Sequence, residues 1–372
     1  SKMRILVIAK ALDRPEAHIL VGLKNRGVTV KVLLQEENAH AQILRDSNIP
    51  ILCFPLSSRL DIKGMLALRR IVKSEQIDLV YALSNAALSC ANFGLIGLDL
   101  SIVTYRGTVG HLSWFDPSSW LTFLNPRVRK ILCVSKAVES YLQDLGVSQD
   151  KLVTVYKGHD VAWYTAPPTV TRSELGVPND AFVVGCTAVM RAVKGVDILI
   201  QASATLITEL PKLHLLLIGP VKDQQVEQLL ESFPDKSRLS LTGFRSDATR
   251  LATLCDVVVM ASKSREGFPK SVIEAMAQGV PAIVTAVGGM PELVDNGAAG
   301  LMVEPSNANE LAAAIRYLAN DSNELRRLGA AGRARIVEVF NIESTVSRMF
   351  EIFEELIQKN CSHTPLKSLN IK

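Results

Sequence analysis

A chain of 372 residues is longer than one ordinary hydrophobic core supports, which points to two domains of about 150–200 residues each. With 48% hydrophobic and 21% charged residues it reads as globular rather than disordered, and a formal charge of +4 is too small to argue for nucleic acid. No run reaches the about 18 continuous apolar residues of a membrane-spanning helix, and the opening lacks a charged-then-apolar leader, so a cytoplasmic protein is expected.

Along the first half, short β-branched runs alternate with amphipathic stretches. RILVIA (residues 4–9) predicts a strand and PEAHILVGLKNRG a helix ending on Gly27. VTVKVLL, IPILCF, the helix IKGMLALRRIVKSEQ, DLVYAL, SIVTYRG, KILCVS, the helix KAVESYLQDLG and LVTVYKG follow. Strands of about six residues alternating with helices imply βαβ crossovers and a parallel sheet. At TAPPTVTRSELGVP (165–178), Pro167 and Pro168 cannot continue a helix or sheet interior, so a linker is expected between a domain at 1–168 and another at 169–342.

The alternation then restarts. FVVGCTAV, the helix GVDILIQASATLITEL, KLHLLLIG, VEQLLESF, RLSLTG, ATRLATLC, DVVVMA, a helix at SVIEAMAQ, PAIVTA and GLMVEP read as a second doubly wound unit. The helix NELAAAIRYLAN and an amphipathic helix at 343–359, expected to cross back to the first domain, precede a tail at 360–372 that is expected to be flexible. In open α/β sheets, ligands bind outside the carboxyl ends of the strands. The six cysteines form no C-x-x-C pair, and most sit in apolar runs, so they read as small buried hydrophobes.

SREGFPKSVIEAMAQGVPAIVTAVGG sets Glu266 and Glu274 on either side of a helix start, with Gly279 and Pro281 closing that helix. Ser271 fits an N-cap or first-turn position with Glu274 three residues on, a capping-box spacing that would make Glu274 structural. Free N–H groups at a helix start also attract anions through hydrogen bonds and the dipole, and a phosphate is the natural ligand there.

E-G-F-P-K-S-V-I-E resembles the E-x7-E signature of the retaining glycosyltransferases of family 4, which have the GT-B fold: two Rossmann-like, doubly wound α/β domains facing a central cleft. The resemblance continues through AMAQGVPAIVTAVGGMPELVDNGAAGLMVEP, MRAVKGVDILIQA and LTGFRSDATRLATLCDVVVMAS, and more loosely VYKGHDVAWY. It covers nearly all of the second half, whereas the first half matches only as a βα pattern.

The resemblance implies a nucleotide-sugar donor, such as a UDP-sugar, in the C-terminal domain. Glu274 would hold the ribose diol and Glu266 would face the sugar hydroxyls, with backbone amides of Gly267, Phe268, Ser271 and Val272 on sugar and phosphates. Lys194 and Arg191 would be the basic pair on the diphosphate, although many members carry the arginine five positions before the lysine, where this chain has Val189. Two such cations could also be ordinary surface charge. Phe244, after LSLTG, would lie near the base; the alternative is a loop aromatic packed on its own helix. No D-x-D occurs, so neither metal nor cofactor is expected.

In the first half, TYRGTVGHLSWFDPSSWLTFL (104–124) strings Arg106, His111 and two tryptophans after a strand. Arg106 and His111 are candidates for the acceptor side, against an aromatic loop folded onto its own domain. The loop AKALDRPEAHIL departs from the family, whose members have glycines where this chain has Asp13, Arg14, Pro15 and His18. Arg59, Lys63, Arg69, Arg70 and Lys73 concentrate positive charge on one helix, as a solvated face or as a peripheral contact with anionic lipid. His159 and Asp160 read as a domain-junction turn.

The expected activity is transfer of a sugar from a nucleotide diphosphate to an acceptor hydroxyl with retention, in bacterial cell-envelope polysaccharide, lipopolysaccharide or glycolipid synthesis. A sugar-nucleotide epimerase of the same architecture and a non-catalytic donor-binding scaffold are the alternatives. A dehydrogenase is disfavoured because no G-x-G-x-x-G follows a strand.

Overall fold

The structure, a computed structural model, describes residues 2–362. The chain forms two compact units: one holds the chain up to Val134, Val138–Gly158 and the chain from Ile342, and the other holds Ser135–Ala137 and His159–Asn341. The main passage between them is at Gly158–His159, ahead of Pro167 and Pro168. The reason is local: His159 N already donates to Phe340 O at 2.8 Å, so the junction turn is built into the second unit.

The first unit runs β1 (Arg4–Ala9), α1 (Arg14–Asn25), β2 (Thr29–Leu34), α2 (Ala41–Asp46), β3 (Ile51–Cys53), α3 (Ile62–Ser74), β4 (Leu79–Ala82), α4 (Asn85–Gly94), β5 (Ser101–Arg106), α5 (Pro117–Leu121), β6 (Val128–Cys133), α6 (Lys136–Asp144) and β7 (Leu152–Thr154). Its parallel sheet has the order β3-β2-β1-β4-β5-β6-β7, so the direction of winding reverses between β1 and β4. The central strands are buried on both faces, which is why they read as continuous apolar runs rather than alternating ones. Most helices begin on a side-chain cap, as with Asp61 accepting from Gly64 N and Ser84 from Ala87 N.

The unusual first loop is part of such a cap. Asp13 accepts from Glu16 N at 2.8 Å while Glu16 accepts from Asp13 N at 3.0 Å, a complete capping box with Pro15 in the first turn. Both carboxylates also bind Lys157 Nζ, at 3.1 Å and 2.8 Å, and that ammonium sits 5.0 Å from the centre of the Tyr105 ring.

The second unit runs β8 (Phe182–Thr187), α7 (Val196–Leu206), β9 (Leu213–Ile218), α8 (Gln224–Glu231), β10 (Leu239–Leu241), α9 (Ala248–Leu251), β11 (Val257–Met260), α10 (Lys270–Ala277), β12 (Ala282–Thr285), α11 (Met290–Leu293), β13 (Leu301–Val303), α12 (Ala308–Asn320) and α13 (Ser322–Glu338). Its parallel sheet has the order β10-β9-β8-β11-β12-β13, with the reversal between β8 and β11. The last described helix, α14 (Ile342–Ser362), belongs to the first unit and buries Val346, Met349, Ile352, Phe353 and Leu356 in that unit's core. Asn360–Ser362 continue this helix; the rest of the expected tail lies outside the described residues. Cys90, Cys133, Cys186 and Cys255 are buried, whereas Cys53 and Cys361 are exposed.

Candidate functional site

Reversal of strand order leaves a crevice where the loops after two neighbouring strands diverge. In the second unit those loops follow β8 and β11, and they carry Lys194 and Glu266. After β8 the chain forms a single turn at Ala192–Lys194 and then Gly195, at φ 68°, opens α7. A side chain at Gly195 would place its Cβ 1.6 Å from Ala261 O, so only glycine lets the two loops close up. Lys263 N donates to Val193 O at 3.0 Å, and Lys263 Nζ pairs with the buried Asp197 of α7 at 2.6 Å, fastening the same two loops.

The loop between β11 and α10 is held from below as well. Thr285, at the end of β12, donates its hydroxyl to Ser262 O at 2.6 Å. Gly289 N donates to Glu266 O at 3.2 Å, and a Cβ on Gly288 or Gly289 would come within 1.7 Å of Glu266 O or 1.9 Å of Gly267 O. The Phe268 ring packs edge-on against the fully buried Phe340, 5.0 Å between centres. Glu266 is thereby buried, and its Oε1 accepts from both Lys194 Nζ and Ser262 Oγ at 2.6 Å. Lys194 itself remains about one-third exposed, with its 38% open side chain reaching the surface.

Helix α10 starts at Lys270 with Pro269 in the cap position and no side-chain cap. The capping box considered for Ser271 and Glu274 does not form. Ser271 is already the second helical residue, and Glu274 turns instead to α9, where Thr249 Oγ1 donates to its Oε2 at 2.5 Å. Lys270 Nζ lies 3.8 Å from the other carboxylate oxygen. Gln278 Nε2 bonds to Thr249 O at 2.9 Å and to Glu274 O at 3.0 Å, locking α9 to α10. Glu274, Gly267 and Val272 are buried and Ser271 half-buried, so the motif residues gather around one helix start that has no protein oxygen capping it from its own N-cap side chain.

Arg191 stands exposed at the head of the Lys194 turn. Phe244 is 80% exposed beside the left-handed Gly243 rather than packed on its own helix. Its neighbour Arg245 grips Asp247 with two bonds of 2.8 Å and 2.9 Å, and this, with a hydroxyl bond from Thr169, holds the Asp247 carboxyl far below the usual carboxylate range.

The two acceptor-side candidates belong to the first unit. Arg106 is buried at the end of β5, where its guanidinium donates to the carbonyls of Thr108 and Gly110 and stacks 4.7 Å from the Phe123 ring. It shapes the loop on which the exposed His111 sits at φ 66°. Of the five basic residues of the α3 region, Arg69 donates to Ile96 O at 2.7 Å and Gly94 O at 3.3 Å and so closes the end of α4, while Lys63, Arg70 and Lys73 are exposed.

Ser262, Thr249, Gly288 and Gly289 also bond to or closely approach the candidate residues, with no signal of their own in the sequence. The hydroxyls had no motif spacing, and the glycine pair was visible only as part of the AVGG run.

Residues 169–335 match the family described as glycosyl transferases group 1, and residues 17–163 match Glycosyltransferase Family 4. The chain is 26% identical to the N-acetyl-alpha-D-glucosaminyl L-malate synthase of Bacillus anthracis over 77% of either chain. It is 23% identical to the N,N'-diacetylbacillosaminyl-diphospho-undecaprenol alpha-1,3-N-acetylgalactosaminyltransferase of Campylobacter jejuni, over 91% of this chain and 94% of that one. Among solved structures, Anabaena Alr3699/HepE in complex with UDP superposes with a TM-score of 0.79 at 22% identity, covering 96% of this chain and 100% of that one. Two matched domains in tandem, on two parallel Rossmann-like sheets, make this chain a glycosyltransferase of the group 1 and family 4 type, with the GT-B fold.

Proposed function

We propose that the protein moves a sugar from a nucleotide-diphosphate sugar to an acceptor hydroxyl with retention of configuration, in the assembly of a cell-envelope glycan or glycolipid. The observation that carries this reading is the convergence of Lys194 and Glu266, 2.6 Å apart, beside the α10 start at the sheet's reversal point. The Anabaena neighbour is described with UDP, and the Campylobacter relative is named for transfer onto a diphospho-undecaprenol acceptor, which supports a nucleotide donor and a lipid-linked acceptor.

Within this proposal the diphosphate lies at the α10 start, where the backbone amides of Gly267, Phe268, Ser271 and Val272 and the helix dipole favour negative charge. Lys194 and Arg191 oppose the charge that grows on the leaving phosphate as the bond from the sugar C1 to the phosphate oxygen breaks. Cations fixed there stabilise the transition state more than the ground state. In the free enzyme Lys194 is held ready by Glu266; a bound diphosphate offers it a second, more highly charged partner. Glu266 keeps its orientation through Ser262 and accepts from sugar hydroxyls, and Glu274 accepts from the ribose diol. Phe244 offers an exposed face to the base. The acceptor oxygen bonds to C1 on the face the phosphate leaves, and its proton passes to the departing phosphate oxygen. His111, on the loop that Arg106 shapes, is assigned to the acceptor side.

The test combines donor screening with two variants. One nucleotide sugar among UDP-, GDP-, ADP- and TDP-sugars should raise the melting temperature, because ligand binds only the folded state. With that donor, Lys194→Ala should lower kcat by about 10²–10³-fold, the size expected for removing one charge-stabilising donor, while Glu274→Ala should act mainly on donor KM. Proton NMR of the product should show the donor's anomeric configuration. Unchanged kinetics in both variants, or an inverted product, would overturn the assignment.

A further inference from the structure

The outward face of α3 combines two properties seldom left open to water. Ile62, Leu66, Arg70 and Lys73 follow one another at intervals of four, four and three, so they line one side of the helix, with Lys63 at its edge. Ile62 is 69% exposed and Leu66 58%, although the opposite side of the same helix buries Gly64, Leu68 and Val72. Leu60, just before the helix, is exposed too. The acid at this end, Asp61, is half-buried and engaged as the helix cap, accepting from Gly64 N and from Ser57.

A second apolar group stands beside it. Arg59 is tied through its carbonyl to Ser89 of α4, and α4 reaches α5 through Asn92, which donates to Leu121 O at 2.9 Å. The loop before α5 carries Phe115, 98% exposed, next to Trp114 and Trp120, which pack edge-on 4.9 Å apart and are both open to solvent. Its Asp116 is bonded by Ser118 and also feels the charge of Arg59, which together hold its carboxyl below the usual range. The two loops are therefore neighbours. Trp114 and Trp120 each spend the indole N–H on a backbone carbonyl, of Leu145 and Trp114, so both rings are held in place rather than waving free.

We propose that this face of the first unit, α3 with the Phe115 loop, docks onto an anionic lipid bilayer. Leu60, Ile62, Leu66 and Phe115 enter the acyl boundary, Trp114 and Trp120 lie at headgroup depth, and Lys63, Arg70 and Lys73 meet lipid phosphates. An open groove of about 560 Å³ borders the same helix start, with Phe54 and Leu56 as apolar walls and Ser57, Asp61 and Lys63 as polar ones. Charge decides against the other obvious occupant. A second copy meeting this face across a two-fold axis would set cation against cation, whereas an anionic membrane complements Lys63, Arg70 and Lys73, and the two acids of the face, Asp61 and Asp116, are engaged in helix caps.

The test is co-sedimentation of the full chain with vesicles of phosphatidylcholine, with and without a third phosphatidylglycerol, at low and high salt. Binding should require the anionic lipid, weaken as salt rises, and shift tryptophan fluorescence to the blue. Each of Lys63→Ala, Arg70→Ala and Lys73→Ala should cut partitioning about fivefold, and Ile62→Asp with Leu66→Asp should abolish it while leaving the melting temperature and the donor-induced shift intact. Failure of the unaltered protein to bind anionic vesicles would overturn the proposal, as would variants that bind like the parent or a concentration-dependent dimer broken by the aspartates. A protein that docks yet transfers no sugar leaves this inference standing and removes the reading of the donor site instead.

Discussion

Thr249 reaches across from α9 to give its hydroxyl hydrogen to Glu274 Oε2. With valine there, a buried carboxylate loses one of its donors while the shape of the site is kept. A hydrogen bond to a charged group contributes about 1.5–3 kcal/mol; with Glu274 in its proposed role, a carboxylate no longer held in place by Thr249 should bind the donor more weakly by up to that amount, so Thr249→Val should raise donor KM by about 10- to 150-fold with kcat nearly unchanged. Thr249→Ser should restore it. Steady-state kinetics against donor concentration decide: a lower KM in the valine variant would mean that Thr249 competes with the ribose rather than presenting Glu274 to it. The candidate positions Glu266, Glu274 and Lys194 are legible in the chain through its resemblance to the family's E-x7-E and Lys-Gly pattern. Thr249 and Ser262 are not, since a lone hydroxyl has no spacing to announce it. Lys157 was equally hidden. The box formed by Asp13 and Glu16 is a local pattern, but the cation that completes it enters from 144 residues away.

Among the elements, the ones hidden from periodicity are those whose faces are not divided into apolar and polar sides. Helix α4 buries Ala87, Leu88, Ser89, Cys90, Ala91, Asn92 and Gly94, so its sequence shows no stripe. Helix α13 carries Gly329 and Gly332, which lower helix propensity and break the pattern. Packing explains Gly329: a Cβ there would come 2.4 Å from Gly279 O, the residue that ends α10, so the gap belongs to the site's own helix. The same logic applies where α1 crosses α14. An alanine at Gly22 would gain about 1 kcal/mol in helix propensity, but its Cβ would meet Val346 Cγ2 at 2.6 Å. Valine is short and stiff, and overpacking costs about 1–3 kcal/mol. Gly22→Ala should therefore lower the melting temperature despite the better helix former, and a calorimetric scan showing a higher one would refute this packing argument. The strands, by contrast, were legible almost throughout, since parallel sheets covered on both sides leave long apolar runs.

At the scale of the whole molecule, two sheets with separate cores divide the labour of stability. Ending the chain after Asn341 would remove five buried apolar side chains of α14 from the first unit. At about 1.5–3 kcal/mol each as an upper estimate, the loss is comparable to the entire stability of a domain, about 5–15 kcal/mol. The truncated protein should lose one calorimetric transition and retain the other, with the nucleotide-induced shift preserved in the survivor. Two unaltered transitions would show that α14 is dispensable. The first unit is thus closed by a helix that is made only after the whole of the second unit. During synthesis the core of the first unit lacks the apolar side chains of α14 until that helix is made, while the second unit already has all its strands and can condense first. Protein quality control would accordingly meet this chain with its opening segment exposed, reversing the usual order in which a nascent polypeptide matures.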